Sequence, residues 1–335
     1  MKNLNKYLSL VVIAISVTFF NSCNQEEIII PQSSAINQTG DDNNIGNNGN
    51  TGNTGNNSQG QEGEITLYKV VGDNITKITD YQVTGQDLEY QKDVAKHNEI
   101  WELTKKIVPL NQREKMGEFL IYNGTVTGSA GFVVEITNDL SVWKMGIAIN
   151  YAYDGGFNAG GELAYTIIHE FGHVLTLHKD QLDASVSQGN CSNYFPGEGC
   201  ARSNSYINEL YQSFWKDIDA EHQAASANQS GQQAFYNKYQ DRFVTQYAST
   251  NPGEDIAEVF ATFVTQKDKP SGATIAEKKI LLMYNRSELV AFRDHIRLNL
   301  QLRGRGNSTG FILPEAGKWK QAKTFGNPLK TKCKH

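Results

Sequence analysis

Positive charge is scarce relative to negative charge in this sequence. Its 335 residues include 31 lysines and arginines against 36 aspartates and glutamates, which gives a formal net charge of −5 at pH 7. A protein that recognises nucleic acid or an anionic membrane surface through its overall charge needs a basic field. We therefore expect that neither nucleic acid nor a membrane surface is a direct partner of the folded part of the chain.

A hydrophobic run long enough for a comfortable membrane span is lacking at the start of the chain. The apolar stretch at residues 8–20 is shorter than the roughly 20 residues that a spanning helix needs. Lys2 and Lys6 precede this stretch, and a short apolar run after positive charge is typical of a secretory signal peptide. Residues 1–22 are therefore predicted to be a signal peptide, and the chain is expected to leave the cytoplasm.

The signal ends in a sequence that resembles a bacterial lipobox. Small and polar residues lead from Phe20 to Cys23, and in a lipobox this cysteine is lipidated and becomes the mature N-terminus. Glu26 and Glu27 look like the acidic export tags of Bacteroidota-type surface lipoproteins. The resemblance implies an outer-membrane lipoprotein, exposed at the cell surface and attached to the membrane through its lipid anchor alone. The alternative is an ordinary secretory signal followed by an incidental cysteine.

Cysteine is also scarce, with four in the whole chain. If Cys23 carries lipid, one of the remaining three must be unpaired or form an intermolecular bond. Cys191 and Cys200 flank a short loop that contains glycine and proline, and closing it would contribute about 2–3 kcal/mol. No second cysteine pair or nearby histidine gives them the spacing of a zinc site. We predict a Cys191–Cys200 disulfide and leave Cys333 unassigned.

Apolar side chains are nearly absent from residues 33–63, which are rich in glycine and asparagine. Such a segment cannot bury enough surface to offset the entropy lost on ordering. Residues 23–63 are therefore predicted to be a lipidated N-terminus followed by a disordered tether, and residues 64–335 to form the folded domain.

Hydrophobic periodicity predicts a mixed α+β fold. The spacing of apolar residues and the turn signals predict strands at 118–122, 131–136 and 143–151, and helices at 86–108, 159–177, 205–222, 232–247, 254–265 and 287–300. A mixed α/β N-terminal subdomain therefore precedes a mostly helical C-terminal subdomain. The strand that ends at Tyr151 is a candidate edge strand for binding an extended peptide.

The chemistry is concentrated in one predicted helix. His169 and His173 are four residues apart, so both imidazoles lie on one helix face and can reach one metal ion. Glu170 lies beside the first histidine, where it can act as the general base for a water activated by zinc. A chance match in this chain has odds of roughly one in a hundred. The alternative is a pair of core histidines satisfied by hydrogen bonds.

A catalytic zinc needs a third protein ligand, and four residues compete for this role. His178 follows closely but lies on a different helix face, which favours a cation at the helix C-terminus. Glu254 and Glu258 share one face of a helix that starts near Asn251, and Asp255 is turned away from that face. Glu254 is also compatible with a capping-box carboxylate, and Glu258 with a solvated charge.

These two motifs resemble those of the gluzincins, and the stretch from Tyr247 to Ala261 is locally similar to the catalytic domain of anthrax lethal factor. The resemblance implies a zincin-like fold with one zinc ion held by His169, His173 and Glu254. It further implies Glu170 as general base, Glu258 as the acid that orients a ligating histidine, and Tyr247 as a residue that stabilises the transition state. Glu254 follows His173 by 81 positions in the sequence, a longer separation than in thermolysin.

The chain is also similar to zinc-binding metallopeptidase lipoproteins of Bacteroidota, which implies outer-membrane import machinery as a partner. The function expected from the residues is hydrolysis of extracellular polypeptide. A second hypothesis is a non-catalytic capture or nutrient-import accessory protein on a zincin scaffold, and a third is an amidase acting on cell-wall peptide. The presence of Glu170 favours the two enzymatic hypotheses, because a protein that only binds its ligand needs no base beside its metal ion.

Overall fold

The computed structural model describes residues 63–157 and 159–302. The predicted signal peptide, the lipidation site Cys23, the tether up to residue 62 and Cys333 lie outside the described residues. None of the described helices is long and apolar enough to cross a membrane.

A five-stranded mixed sheet forms one side of the described structure. Its strands are β1 (Glu64–Val71), β2 (Asn74–Asp80), β3 (Met116–Tyr122), β4 (Gly131–Glu135) and β5 (Trp143–Ala148), in the order β2-β1-β3-β5-β4. Strands β3 and β5 are parallel, and the other neighbours are antiparallel. The hairpin β1–β2 was not among the predicted strands. Two short strands, β6 (Leu182–Asp183) and β7 (Cys200–Ala201), pair antiparallel elsewhere.

The prediction that the strand ending at Tyr151 is an edge strand is wrong. Strand β5 lies inside the sheet between β3 and β4, and the chain after it turns into the helix Ile149–Ala152 instead of continuing as a strand. The edge is β4. The sequence pattern did not reveal this order, because the parallel β3–β5 pairing is a tertiary contact that places β5 between its neighbours.

Eleven α-helices occur in the described ranges 63–157 and 159–302. They are α1 (Gly85–Lys92), α2 (Val94–Ile107), α3 (Leu110–Arg113), α4 (Ile149–Ala152), α5 (Glu162–Leu177), α6 (Tyr206–Phe214), α7 (Asp219–Ala225), α8 (Gln229–Lys238), α9 (Pro252–Thr265), α10 (Ile275–Tyr284) and α11 (Ser287–Asn299). Short 3-10 segments occur at Gln188–Asn190, Gln240–Arg242 and Tyr247–Thr250. The predicted α+β class and its helical second half are therefore confirmed.

Three long predicted helices are broken in the structure. The helix predicted at 86–108 is interrupted at Asp93, whose carboxylate accepts a hydrogen bond from the backbone N–H of Lys96 (3.2 Å) and starts α2. A side chain that bonds its own backbone in this way competes with a continuous helix. The helix predicted at 205–222 is divided into α6 and α7. The helix predicted at 232–247 is divided into α8 and two 3-10 segments.

One face of the sheet forms the main core with the helices. Phe119, Ile121, Met145 and Ile147 alternate along β3 and β5 and are fully buried. The same core includes the apolar residues of α2, α5 and α9. Helix α5 is buried along nearly its whole length, so its polar residues are enclosed between the sheet and α9.

Candidate metal centre

Helix α5 places two histidines side by side. The side chain of His169 is fully buried and that of His173 is 6% exposed. Their rings meet edge to face with centroids 4.8 Å apart, and the two Nε2 atoms are 3.1 Å apart. The predicted spacing of one helical turn thus brings both imidazole nitrogens to one point.

Helix α9 supplies a carboxylate to the same point. Pro252 opens the helix, and the Asn251 side chain accepts a hydrogen bond from the backbone N–H of Glu254 (2.9 Å). Only the backbone of Glu254 is used in this cap, and its Oε2 lies 3.3 Å from each histidine Nε2. The structure therefore favours the ligand interpretation of Glu254 over that of a capping-box carboxylate.

Helices α5 and α9 approach each other closely behind the site, at Gly172. A Cβ atom at this position would lie 3.4 Å from the Cα of Ala257 and 3.2 Å from Phe260 Cδ1. A larger residue would separate α5 from α9. Because the histidines and Glu254 lie on opposite helices of this pair, Gly172 contributes to the distance between them.

The geometry of the three atoms fits one metal ion. His169, His173 and Glu254 form the single cluster of this kind that was found in the described part of the chain. Their nitrogen and oxygen atoms are 3.1, 3.3 and 3.3 Å apart. Zinc bonds of about 2.0–2.1 Å at the tetrahedral angle would separate ligand atoms by about 3.3 Å. The buried Glu254 Oε2 makes no hydrogen bond of regular geometry, as expected of ligands that point to a common centre.

The charges around the cluster also favour a cation. Burial alone would lower the pKa of His169, but the carboxylates of Glu254 and Glu258 outweigh it and raise the pKa to about 10. Burial opposes ionisation of Glu254, yet the neighbouring His173 and His169 hold its pKa at about 2. The site thus stabilises positive charge next to an ionised carboxylate. His169, His173 and Glu254 therefore form a buried group that could hold a metal ion.

Glu258 lies behind the first histidine. Its Oε1 accepts a hydrogen bond from His169 Nδ1 (2.7 Å), and the residue is 1% exposed. Because this bond occupies Nδ1, the opposite nitrogen of the ring faces Glu254. The side chain is therefore not a solvated charge, and it occupies the position that the resemblance implies for an acid that orients a ligating histidine.

The other two candidates for third ligand lie elsewhere. The Nδ1 atom of His178 accepts a hydrogen bond from the backbone N–H of Asp180 (3.3 Å) at the end of α5. Burial lowers the pKa of His178, whereas the Asp180 carboxylate, whose Oδ2 lies 2.9 Å from Nδ1, acts in the opposite direction. The cation predicted there stays a prediction. Asp255 is turned away as predicted, and its Oδ2 contacts Lys279 and Trp215, each at 2.6 Å.

Glu170 faces the edge strand. It is fully buried, and the backbone of Gly131 in β4 passes so close that a Cβ atom on this glycine would lie 3.0 Å from Glu170 Cγ. The carboxyl end of Glu170 is therefore enclosed between α5 and β4, next to the two histidines.

Tyr247 reaches the same site from the 3-10 segment that precedes α9. Its ring centroid lies 6.0 Å from that of His169. Burial raises the pKa of its hydroxyl well above the usual value of 10, and the charges of Glu254 and Glu170 add to this effect. The hydroxyl is therefore protonated at neutral pH, and the Glu254 carboxylate is a hydrogen-bond partner for it.

Three contributors were not found by sequence reasoning. Tyr165 and Thr245 contact Glu258, and Gly131 borders Glu170. Tyr165 precedes His169 by four residues, so its position on the same helix face was a usable signal. Thr245 and Gly131 carry no such signal, because their contacts depend on the tertiary fold.

The disulfide prediction concerns a loop outside this cluster. The Sγ atoms of Cys191 and Cys200 are at disulfide distance, 1.96 Å, and their Cα atoms are 5.3 Å apart. The pair closes the loop before β7, as the sequence predicted.

Comparisons with protein-family models, with curated proteins and with solved structures found no match to this chain.

Proposed function

We propose that this chain is a zinc-dependent metallohydrolase of zincin-like architecture that cleaves polypeptide. The observation that carries the proposal is the convergence of His169, His173 and Glu254 next to Glu170. Three protein ligands made of two imidazoles and one carboxylate, with one position left for water, are typical of catalytic zinc. Structural zinc sites more often have four protein ligands, and no cysteine belongs to this cluster.

The chain's own residues divide the chemistry between them. A bound zinc ion would lower the pKa of a coordinated water toward neutrality and polarise the substrate carbonyl. Glu170 would accept the proton of the attacking water and later deliver it to the leaving amine. The neutral hydroxyl of Tyr247 would donate a hydrogen bond to the developing oxyanion.

Strand β4 supports a peptide as the substrate. Its register is fixed by hydrogen bonds from the Ala148 N–H to the Ala130 oxygen (3.0 Å) and from the Ile136 N–H to the Val142 oxygen (2.9 Å). In an antiparallel pair with this register, the N–H and C=O of Val133 point away from β5. An extended peptide can pair with such an edge, and Gly131 places that edge beside Glu170.

The test is hydrolysis by the purified mature chain with and without a chelator. A mixed peptide library should be cleaved, and chelation should abolish cleavage while added zinc restores it. Glu170→Gln should keep one metal ion per chain and lose about 10²–10⁴-fold in rate, the range expected for a general base. Glu102→Gln is the matched control, since this residue is exposed on α2. A loss below about tenfold would contradict the mechanism.

The burial of the centre favours a second candidate. His169 and Glu170 are both fully buried, which suits a structural metal in a non-catalytic capture protein. In that case the chain would bind zinc, and bound zinc would stabilise it against unfolding, but the chain would cleave no peptide. Glu170→Gln would then change only the stability.

The location is a proposal of its own. Together with the lipobox, the Cys191–Cys200 pair supports an exported protein, since disulfides persist in oxidising compartments. We propose a surface lipoprotein of the outer membrane that works beside import machinery. Cys23→Ser should move the protein from the membrane fraction to the soluble fraction, and unchanged partitioning would rule out the lipid anchor.

A further inference from the structure

Both oxygens of the Glu258 carboxylate are engaged. Oε1 accepts from His169 Nδ1 (2.7 Å), and Oε2 accepts from the hydroxyls of Thr245 (2.7 Å) and Tyr165 (3.1 Å). All four side chains are nearly or fully buried, with Thr245 the most exposed at 6%. A carboxylate held at both oxygens in this way has one orientation.

The two hydroxyls reach Glu258 from different parts of the chain. Tyr165 lies on α5, one turn before His169, so the histidine and the group that holds its partner share a helix face. Thr245 lies before the 3-10 segment that carries Tyr247, and its Oγ1 also accepts a hydrogen bond from the backbone N–H of Ala248 (3.0 Å). One threonine therefore contacts both the carboxylate and the turn of Tyr247.

The directions of these hydrogen bonds determine which ring nitrogen of His169 keeps a proton. An ionised carboxylate only accepts hydrogen bonds, so both hydroxyls and the His169 Nδ1–H donate to it. The neutral tautomer that keeps this proton on Nδ1 presents the lone pair of Nε2 to the point where Glu254 and His173 meet. This is the tautomer that ligation through Nε2 requires.

We propose that Tyr165 and Thr245 are positioning residues that set the metal affinity of His169 through Glu258, without contact to the metal. Thr245 additionally positions the turn of Tyr247. The inference rests on the proposed metal site. It predicts that two uncharged hydroxyls, distant from each other in sequence, act on one ligand.

A purely structural role makes a different prediction. If the hydroxyls only satisfy a buried carboxylate, removing one destabilises the metal-free and metal-loaded protein alike and leaves the affinity unchanged. If they position His169, removing one lowers the stability of the metal-loaded protein more than that of the metal-free protein, and the metal affinity falls. Metal affinity is therefore the readout that separates the two roles.

The experiment titrates the metal-free full chain with zinc against a competing chelator. Tyr165→Phe and Thr245→Val should each lower the affinity by about three- to tenfold, less than the roughly 10–100-fold typical of losing a carboxylate beside a ligand. Thr245→Ser keeps the hydroxyl and should restore the wild-type affinity. The absorption spectrum of the cobalt-loaded protein should change in the Phe and Val variants, since it reports ligand geometry.

Matched controls remove similar hydroxyls elsewhere. Tyr68 is a buried tyrosine whose hydroxyl contacts His97 (2.7 Å), and Thr104 is a buried threonine bonded to the Ile100 oxygen (3.0 Å). Tyr68→Phe and Thr104→Val should leave zinc affinity and the cobalt spectrum unchanged, whatever they do to stability.

A double-mutant cycle with Glu258→Ala completes the test. In that background Tyr165→Phe should have no further effect on affinity, because its route to His169 is gone. Wild-type affinity in both single variants, or an undiminished effect of Tyr165→Phe without Glu258, overturns the network while the metal site stands. A wild-type chain that binds no zinc overturns the proposed function and this inference together.

Discussion

Gly131 lies where any side chain would collide with the proposed base. A Cβ atom there would meet Thr166 Cγ2 at 2.7 Å and Glu170 Cγ at 3.0 Å. We expect Gly131→Ala to displace Glu170 while the metal-binding atoms keep their places. Because a misplacement of about 1 Å can cost about 10²-fold in rate, hydrolysis should fall strongly while zinc content stays at one per chain.

The control for this change is Gly189→Ala. No heavy atom lies within 4 Å of a Cβ atom at that position, and its backbone is not in the left-handed region. Steady-state hydrolysis and metal analysis of both variants decide the matter. Equal activity in the two alanine variants would show that a side chain at Gly131 does not displace Glu170, and that the contact of Glu170 with β4 does not affect hydrolysis.

The four candidates for third ligand differ in what their loss should do. Glu254→Ala removes an oxygen 3.3 Å from both Nε2 atoms, so it should strip most zinc affinity. Glu258→Ala should weaken binding by about 10–100-fold, because it acts through His169. His178→Ala and Asp255→Asn should leave metal content intact. Zinc stoichiometry that survives the loss of Glu254 but not that of His178 would disprove the ligand set.

Site residues that are close to each other in the sequence were predictable, and those brought together by the tertiary fold were harder to predict. His169, Glu170 and His173 were predicted because one helical turn determines their geometry. Glu254 needed a second motif, and the competing capping interpretation could be decided only by the direction of its side chain. Gly131 and Thr245 were missed, because the sheet order and the path before α9 bring them to the site.

Helix α9 carries both glutamates of the centre and is fixed at both ends. Asn251 caps its first turn. Arg293 and Arg297 of α11 donate hydrogen bonds to carbonyl oxygens at its C-terminal end, including those of Phe263 and Val264 at 2.7 and 2.9 Å. Satisfying these carbonyls with buried guanidinium groups holds the helix end in place. The position of Glu254 is thus a property of the whole element.

A buried ion pair fixes the face of α9 that is turned from the metal centre. Lys279 and Asp255 are both fully buried and 2.6 Å apart, and Trp215 Nε1 donates to the same Asp255 oxygen. Lys279→Met would leave an unpaired buried carboxylate, which should lower the free energy of unfolding by about 3–5 kcal/mol. Denaturant unfolding of the metal-free protein measures the change.

A second variant separates the charge from the packing. Asp255→Asn combined with Lys279→Met removes both charges and keeps an acceptor for Trp215, so it should recover most of the lost stability. Lys238→Met, which breaks an exposed pair with Glu221, should barely move the unfolding midpoint. If the double variant were as unstable as Lys279→Met, the unpaired charge would not be the cause.

The elements were predictable where one periodic pattern covered one buried face. Helix α5 begins three residues later than predicted and ends at the predicted Leu177. Strands β1 and β2 and helix α10 were missed. A strand is recognised in a sequence by the alternation of apolar and polar residues, and β2 is exposed along most of its length, so this alternation is weak there. Helix α8 ends at Lys238, before the predicted end at 247, and the hydroxyl of the next residue, Tyr239, donates a hydrogen bond to Glu221 of α7 (2.9 Å).

At the scale of the whole molecule, a buried histidine links the sheet to the helices. His97 of α2 is fully buried. Its Nε2 donates to the Tyr90 carbonyl of α1 (2.9 Å), so its Nδ1 accepts from the Tyr68 hydroxyl of β1 (2.7 Å). Both nitrogens are used by the neutral ring, and protonation would remove the acceptor that Tyr68 needs. Burial accordingly lowers the pKa of His97.

This lowered pKa predicts acid lability of the fold. The unfolded chain binds a proton at the ordinary histidine pKa of about 6.5, whereas the folded chain takes it up only at lower pH. The stability is therefore fully present above the unfolded pKa and is lost as the pH falls toward the folded pKa. Over that window His97 should contribute a slope of about 1.4 kcal/mol per pH unit to the free energy of unfolding.

His97→Gln tests this prediction, since the amide can donate to Tyr90 and accept from Tyr68 but does not titrate. Denaturant unfolding of both proteins between pH 5 and 8, with chelator to keep the metal site empty, gives two stability profiles. Burial also lowers the pKa of His222, but this residue and the metal-site histidines are present in both proteins, so the difference in slope belongs to His97. The Gln variant should be flatter below pH 6.5, and parallel profiles would mean that His97 is as easily protonated in the folded state as in the unfolded chain.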